Sequence, residues 1–207
     1  MPSVREILLT LRLSESRMSL LILPSVSKEK PVGLNFVDVD GKRWVDKNGH
    51  LVWNNGNWTE YASESQMKIA DIMRSTLTGS EQFTKLVRSG FDITVTIDEV
   101  NAPTSKNGDI LMGSTNKKLV NGKVKSMQIT VYKKNVSLRS EYVTGELDLD
   151  ESMAVNLGHE IEHTTDESGQ LTENNASVEE IEKAPTKIGQ MLIDEFRLPV
   201  LNLFVFE

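Results

Sequence analysis

Two of the three histidines in this chain, His159 and His163, lie four residues apart in the segment VNLGHEIEHTT, and Glu160 follows the first of them. Side chains four residues apart on an α-helix project to the same side, one turn apart. Two imidazoles at this spacing can reach one Zn²⁺ ion, and a carboxylate at the edge of the same site can take a proton from a water molecule. The spacing therefore predicts a zinc site, with His159 and His163 as ligands and Glu160 as a general base.

The residues HEIEH match the H-E-x-x-H arrangement of metalloproteases at every fixed position. The alternative interpretation is a solvated helix face that carries two surface histidines. A chain with only 3 histidines in 207 residues would rarely place two of them in this pattern by chance. We therefore favour the zinc site over the solvated face.

A helix is the context that this pattern needs, and the residues before it predict one. Asp148 or Asp150 can cap its start, and Glu151 suits the positive end of the helix dipole. An apolar stripe follows at helical spacing, formed by Ala154, Leu157 and Ile161. At about 100° per residue the two histidines point away from this stripe. The predicted helix therefore packs one face against the core and turns another towards a polar site.

A catalytic zinc ion needs a third protein ligand and one open position for water. His50, the remaining histidine, lies far upstream in the turn-rich segment KNGHLV and is not favoured. The sequence after the motif lacks the H-x-x-G-x-x-H continuation of metzincins, which leaves a carboxylate as the third ligand. The acidic candidates downstream are Glu173, Glu179, Glu180 and Glu182.

The apolar residues beside these carboxylates rank them. Val178 and Ile181 should face inward in the stretch SVEEIEK. Glu182 and Glu180 flank Ile181, whereas Glu179 points away if this turn is helical. Glu182 is therefore the first choice for the third ligand, Glu180 the second and Glu179 the third. For each of them, the alternative is a solvated charge on a helix.

The remaining patterns predict an α+β fold, in which helices precede and follow a small, mostly antiparallel sheet. Residues 63–88 have the apolar period of helices, with a break at Gly79 and Ser80. FDITVTIDEV, ILMGST and MQITVYKK are strand candidates, and VNGKV supplies an Asn-Gly hairpin turn between the last two. MQITVYKK is also the candidate for an edge strand beside the active helix. Pro185 suits the first turn of a final helix that runs to about Arg197.

Composition and charge exclude several classes of protein. The net charge of −7 and the pI of about 5.1 argue against a nucleic-acid binder and against binding to an anionic membrane surface. The absence of cysteine excludes a disulfide scaffold and a cysteine-ligated zinc site. No apolar run approaches the roughly 20 residues of a membrane span, and no signal peptide is predicted. A cytoplasmic location and export as part of a larger toxin both stay open.

The sequence before the first predicted helix divides into two segments. Residues 1–34 are a leader of unknown role, and residues 35–60 are a turn-rich β linker, in which Asp-Gly and Asn-Gly pairs separate short apolar pieces. A calcium site is the alternative for the carboxylates of Asp38, Asp40 and Asp46. The EF-hand loop needs Gly at its sixth position, whereas Gly41 is fourth when counted from Asp38. Turn chemistry is therefore the better explanation.

At GHEIEHTT and EEIEKAP the chain resembles the gluzincin-type metallopeptidase domains found at the C-termini of bacterial Rhs-repeat and other polymorphic toxins. The family is similar in its HExxH helix and in the acidic helix that follows. GLNFVDVDG also resembles the end of an Rhs core, although it lacks both prolines of that run. The resemblance implies a zincin-like metallopeptidase domain over residues 61–207. It also implies His159 and His163 as ligands, Glu160 as the general base and a downstream Glu as the third ligand.

Two functions follow from these observations. The first is a zinc-dependent endopeptidase of the toxin or effector type, which hydrolyses a peptide bond with a zinc-activated water and has a protein or peptide substrate and an immunity protein as partners. The alternative is a non-catalytic, zincin-like binding module, and Glu160 speaks against it because a structural site needs no base. No oxyanion stabiliser is assigned. Tyr132 and Tyr142 are the tyrosines nearest in sequence, and a core or surface role is favoured for both.

Overall fold

The computed structural model describes residues 44–121, 123–165, 168, 170, 171 and 174–198, which form six helices and two small sheets. This arrangement confirms the predicted α+β class. The predicted leader at residues 1–34 lies outside the described residues, as do Asp38, Asp40 and Glu173. Within the described ranges, no helix has the length and apolar character that crossing a membrane requires.

A two-stranded antiparallel hairpin comes first, formed by β1 (Trp53–Asn54) and β2 (Asn57–Trp58). The Asn-Gly pair between them has φ values of 47° and 84°, the positive values that suit such a turn. Trp44, ahead of the hairpin, is 1% exposed and packs edge-on against Trp58 with ring centroids 5.3 Å apart. The segment predicted as a linker thus contributes to the core, and a domain boundary after residue 60 stays a prediction.

Two helices follow, α1 (Glu64–Arg74) and α2 (Leu77–Val87). The predicted break at Gly79 and Ser80 is wrong, because the helices are separated at Ser75 and Thr76. The Thr76 hydroxyl accepts a hydrogen bond from the N–H of Gly79 at 3.0 Å, which caps the start of α2. A Cβ atom at Gly79 would lie 1.8 Å from the carbonyl oxygen of Met73. Glycine at this position therefore permits a close approach and does not end a helix.

The larger sheet contains β3 (Asp92–Asp98), β4 (Gly113–Val120) and β5 (Lys123–Tyr132). β5 is the central strand, parallel to β3 and antiparallel to β4. The predicted hairpin turn between β4 and β5 is confirmed, with Asn121 at φ 54°. The prediction of a mostly antiparallel sheet is wrong, since one of the two strand pairings is parallel.

The composition of the strands explains this order. Met127, Ile129 and Val131 give β5 an apolar face that is at most 3% exposed, and α5 packs against this strand. β4 carries Lys117 and Lys118, and charged side chains are typical of edge strands. The prediction that MQITVYKK forms the edge strand is therefore wrong, because in the described part of the sheet β4 occupies that edge.

Four helices complete the described chain: α3 (Lys133–Val136), α4 (Ser140–Val143), α5 (Leu149–Glu162) and α6 (Val178–Arg197). Asp148 caps α5 in a reciprocal capping box with Glu151, as one of the two predicted caps. The predicted apolar stripe of α5 is at most 1% exposed. α5 lies at the centre of the fold, where it packs against α1, α2, α6 and the sheet.

The predicted start of the last helix near Pro185 is wrong. α6 begins at Val178, where Ser177 and Glu180 form a capping box, so Pro185 lies inside the helix. A proline there removes one backbone hydrogen bond from the helix. The capping box compensates by satisfying the backbone N–H groups at the true start.

One hydrophobic core joins these elements. It includes side chains from the first described residues and from α1, β5, α5 and α6, among them Trp44, Met73, Ile129, Leu157 and Leu192. The core holds α5 between the sheet and α6, and α5 carries the HEIEH segment. The positions of both neighbours therefore decide what surrounds the two histidines.

Candidate metal centre

The two histidines lie at the C-terminal end of α5, with His163 as its C-cap residue. Their Nε2 atoms are 3.3 Å apart, and the side chains of His159 and His163 are 25% and 15% exposed. This is the one-turn juxtaposition that the spacing of four residues predicts on a helix. One nitrogen of each ring, Nε2, therefore faces the same small volume beside the helix.

Glu182 approaches this volume from α6. Its Oε2 atom lies 3.2 Å from Nε2 of His159, and its Oε1 atom lies 3.5 Å from Nε2 of His163. One ligand atom from each of the three residues can be chosen so that all lie within 4.8 Å of one another. In the described part of the chain, they form the one group of at least three His, Asp or Glu residues that could hold a metal ion.

A close approach of α5 and α6 makes this meeting possible. Gly158, next to His159, faces α6, where a Cβ atom would lie 2.4 Å from Cδ1 of Leu192. On α6, Gly189 packs towards Val155 of α5, where a Cβ atom would lie at an ordinary 3.7 Å. The glycine on α5 therefore lets the carboxylate on α6 reach the imidazoles.

The other candidates for the third ligand lie elsewhere or are otherwise engaged. Glu180 accepts hydrogen bonds from the N–H and hydroxyl of Ser177 at 2.9 and 2.8 Å, as the capping box requires. Glu179 is exposed. His50 stacks on Tyr61 and contacts Asp46 at 3.1 Å, so it belongs to a surface turn.

The donor atoms fit a zinc ion in type and spacing. Structural and catalytic zinc sites use imidazole nitrogen and carboxylate oxygen at about 2.0–2.2 Å, usually in a tetrahedron. Two ligands at these distances and at the tetrahedral angle are about 3.3–3.6 Å apart. The two Nε2 atoms here are 3.3 Å apart, and each is within reach of a different oxygen of Glu182, at 3.2 and 3.5 Å. Three protein ligands also leave one tetrahedral position for water or substrate.

The carboxylate and the imidazoles perturb one another. Hydrogen bonds from His159 and then from His163 hold the pKa of the Glu182 carboxyl far below its usual range, against an opposing effect of burial. Burial disfavours the charged form of His163, but the hydrogen bond to Glu182 and the charges of Glu160 and Glu182 outweigh it and raise its pKa. An anionic Glu182 is the form that can bind a cation.

The Glu160 carboxylate contacts β4 and is not one of the three groups that could hold the metal ion. The residue is 6% exposed, and its Oε2 atom accepts a hydrogen bond from the Thr115 hydroxyl at 2.8 Å. Burial raises the pKa of the Glu160 carboxyl, although His159, the Thr115 hydrogen bond and His163 oppose that shift. Desolvation therefore makes this carboxylate a better proton acceptor than an exposed one.

These residues lie in a cleft of about 1070 Å³. Its walls come from the loop before β4, from β4 itself, and from α5 and α6. Several residues that line it are not predicted from the sequence, namely Gly113, Thr115, Arg139, Glu141 and Asn156. Gly113 and Thr115 fall in the predicted strand ILMGST, and their spacing of two places them on one face. Nothing in the sequence indicates that this face meets Glu160.

Neither tyrosine considered at first lines this cleft. The Tyr132 hydroxyl is 3.2 Å from the hydroxyl of Ser114, and Tyr132 lines a separate pocket with Asp98 and Gln128. Tyr142 is 36% exposed on α4. Both therefore have the core or surface roles that were favoured for them.

No protein-family model, no curated protein and no solved structure matches this chain.

Proposed function

We propose that this protein is a zinc-dependent endopeptidase with a zincin-like fold. The observation that carries the proposal is the convergence of His159, His163 and Glu182 beside Glu160 in one open cleft. The ligand set of two histidines and one glutamate is used by catalytic zinc sites that hydrolyse peptide bonds. The likeness of two segments to polymorphic toxin domains supports a toxin or effector role.

His159, His163 and Glu182 would hold the zinc ion, and Glu160 would not. When bound, zinc would polarise the scissile carbonyl and lower the pKa of a water molecule. Glu160 adjoins the ligand His159 in sequence, but its carboxylate accepts a hydrogen bond from Thr115. Because the carboxylate would not bind the metal, it could accept a proton. This division assigns binding of the metal and movement of the proton to different residues.

The proton transfer follows from the surroundings of Glu160. A general base works best when its pKa lies near the working pH, and burial raises the pKa of Glu160 in that direction. Glu160 would take a proton from the attacking water and pass it to the nitrogen of the leaving amine. The new C–O bond forms first, the C–N bond breaks once the nitrogen is protonated, and the products are a carboxylate and an amine.

The edge of the sheet offers a way to bind an extended substrate. β4 lies beside Glu160, and among the described residues it pairs on one side only, with β5, so its other side can form main-chain hydrogen bonds with an added strand. The cleft lies against the same strand. An extended segment of a protein chain is therefore the class of substrate that we propose.

The test separates metal binding from chemistry. Glu160→Gln is expected to retain about one zinc ion per chain and the wild-type fold, because Glu160 is not a ligand in this proposal. Cleavage should fall by roughly 10²–10⁴, the usual contribution of a positioned general base. Glu179→Gln, an exposed change on α6, is the matched control and should cleave as the wild type does.

Zinc is measured by elemental analysis, and cleavage is measured on fluorescein-labelled casein and by proteome-wide detection of new termini. A Glu160→Gln variant that cleaves as fast as an active wild type contradicts the mechanism. A wild type that binds zinc and cleaves nothing in either assay supports the binding-module alternative instead.

A further inference from the structure

The carboxylate of Glu160 is held by two residues of β4 that lie on the same face of the strand. Thr115 is one of them, and its hydroxyl lies 2.8 Å from Oε2 and 3.0 Å from the backbone carbonyl oxygen of Glu160. One proton is shared between these two acceptors. The hydroxyl therefore joins the strand to both the side chain and the backbone near the end of α5.

Gly113 is the second residue, and it acts through the space that it leaves. A Cβ atom at this position would lie 2.5 Å from Oε1 and 2.7 Å from Cγ of Glu160. Atoms at such distances overlap, so any side chain at residue 113 would displace the carboxylate. The Glu160 side chain is thus bounded by the backbone of β4 on one side and fixed by a hydroxyl on the other.

We propose that Thr115 is a positioning residue for Glu160 and that Gly113 provides the space in which the carboxylate lies. Removing a hydrogen-bond donor from a buried carboxylate destabilises the fold, because the desolvation penalty of the charged group is then no longer offset. The inference rests on the proposed role of Glu160 as the base. The contact itself is a property of the fold, and it can be tested without any substrate.

The first experiment is a double-mutant comparison by thermal unfolding of the full chain. Thr115→Val removes the hydroxyl and nearly preserves the shape of the side chain. The substitution is made in two backgrounds, the wild-type chain and the Glu160→Met variant. The melting temperature should fall by roughly 5 °C beside Glu160 and by less than about 2 °C beside the methionine. Thr115→Ser, which keeps the hydroxyl, should recover most of the loss.

The control for this experiment is Thr94→Val on β3. Thr94 alternates with the buried Ile93 and Val95, so it lies on the opposite face of the sheet. Its effect on the melting temperature should be the same in both backgrounds. An equal loss from Thr115→Val in both backgrounds would overturn the proposal.

The second experiment measures turnover of fluorescein-labelled casein. Thr115→Val should lower kcat by about 10–100-fold, the range found for residues that orient those at a metal site. KM and zinc content should stay within about twofold of wild type, and Thr115→Ser should restore kcat. Gly113→Ala should lower kcat in the same way, because its methyl group displaces the carboxylate.

The two experiments separate failure of this proposal from failure of the proposed function. A Thr115→Val variant with wild-type kcat overturns the positioning role while the peptidase activity stands. A wild type that cleaves nothing contradicts the peptidase activity. The thermal comparison then decides by itself whether Thr115 holds the carboxylate of Glu160.

Discussion

At the scale of single residues, Glu182 is the group on which the candidate metal centre depends most. The two histidines are neighbours on one turn of α5 and would meet wherever that helix lies. Glu182 comes from another helix, yet its carboxylate spans both imidazoles at 3.2 and 3.5 Å. Its neighbour Glu180 has the same side chain and a different task, since it caps α6. This pair allows ligation to be tested against helix stability.

Glu182→Gln is expected to weaken zinc binding by at least about tenfold, because a neutral amide is a poorer zinc ligand than a carboxylate and orienting residues alone contribute about 10–100-fold. Glu180→Gln is the matched control and should leave zinc affinity unchanged, since glutamine also serves in a capping box. Competition with a chromophoric chelator gives both affinities. A greater loss of zinc affinity in Glu180→Gln than in Glu182→Gln would show that Glu182 is not the third ligand.

At the scale of elements, the crossing of α5 and α6 brings the ligands together. The two helices touch through Gly158, where a methyl group would lie 2.4 Å from Cδ1 of Leu192. Leu192 is fully buried, so it has little room to move aside. The separation of the helices thus depends on the absence of a side chain one residue before His159.

Gly158→Ala should destabilise the fold by about 1–3 kcal/mol through overpacking, and it should weaken zinc binding because α6 moves Glu182 away. Gly189→Ala lies in the same helix pair, but its Cβ atom would be 3.7 Å from Val155. It should keep zinc affinity and gain roughly 0.5–1 kcal/mol of stability, because alanine is the better helix former. Chemical denaturation and zinc titration of both variants check this. Equal zinc affinity in the two variants would contradict the role of the close approach.

At the scale of the whole molecule, the core does not depend on the metal centre. The core cluster runs from Trp44 to Ile193 and buries α5 on most sides. The candidate ligands lie at the edge of this cluster, facing an open cleft. A metal ion would therefore add stability to a chain that folds without it, unlike the small zinc domains that need metal to fold.

If the proposed site holds zinc, the metal is expected to raise the melting temperature, because the three ligands meet only in the folded chain. At a free concentration of 100 times Kd the gain is about 2.7 kcal/mol, which corresponds to about 5–10 °C for a chain of this size. His163→Ala should remain folded and lose this dependence on zinc. Calorimetry with and without a chelator measures the shift. A chelated wild type without a cooperative transition would show that the metal is needed for folding.

The described residues before α1 contribute to the stability of the rest of the fold. Trp44 and Val52 are at most 1% exposed, and Trp44 packs against Phe83 with ring centroids 6.1 Å apart. Loss of a buried tryptophan alone costs about 3–5 kcal/mol, against a total stability of about 5–15 kcal/mol. A fragment of residues 61–207 should therefore melt far below a fragment of residues 36–207. Circular dichroism compares them, and equal melting temperatures would support the predicted boundary after residue 60.

The sequence by itself was sufficient for features that depend on neighbours along the chain. The shared side of His159 and His163 follows from helical periodicity, and the turn at Asn121 follows from backbone preferences within a few residues. Side-chain preferences limited the cap of α5 to Asp148 or Asp150, and Asp148 is the cap in the structure. The start of α6 also depends on nearby residues, but two sequence signals there indicated different starts. The capping box at Ser177 outweighed the preference of Pro185 for a first helical turn.

Only the tertiary structure decided which elements meet. The central place of β5 depends on its pairing with both β3 and β4, and the burial of its apolar face depends on the helix that packs against it. The sequence ranked Glu182 ahead of Glu180, but the approach of Glu182 to the two imidazoles depends on the crossing of α6 over α5 at Gly158. Thr115 reaches Glu160 across 45 residues of sequence. Such contacts arise from packing in three dimensions, and a one-dimensional pattern of residues records which face of an element is apolar but not which neighbour will cover it.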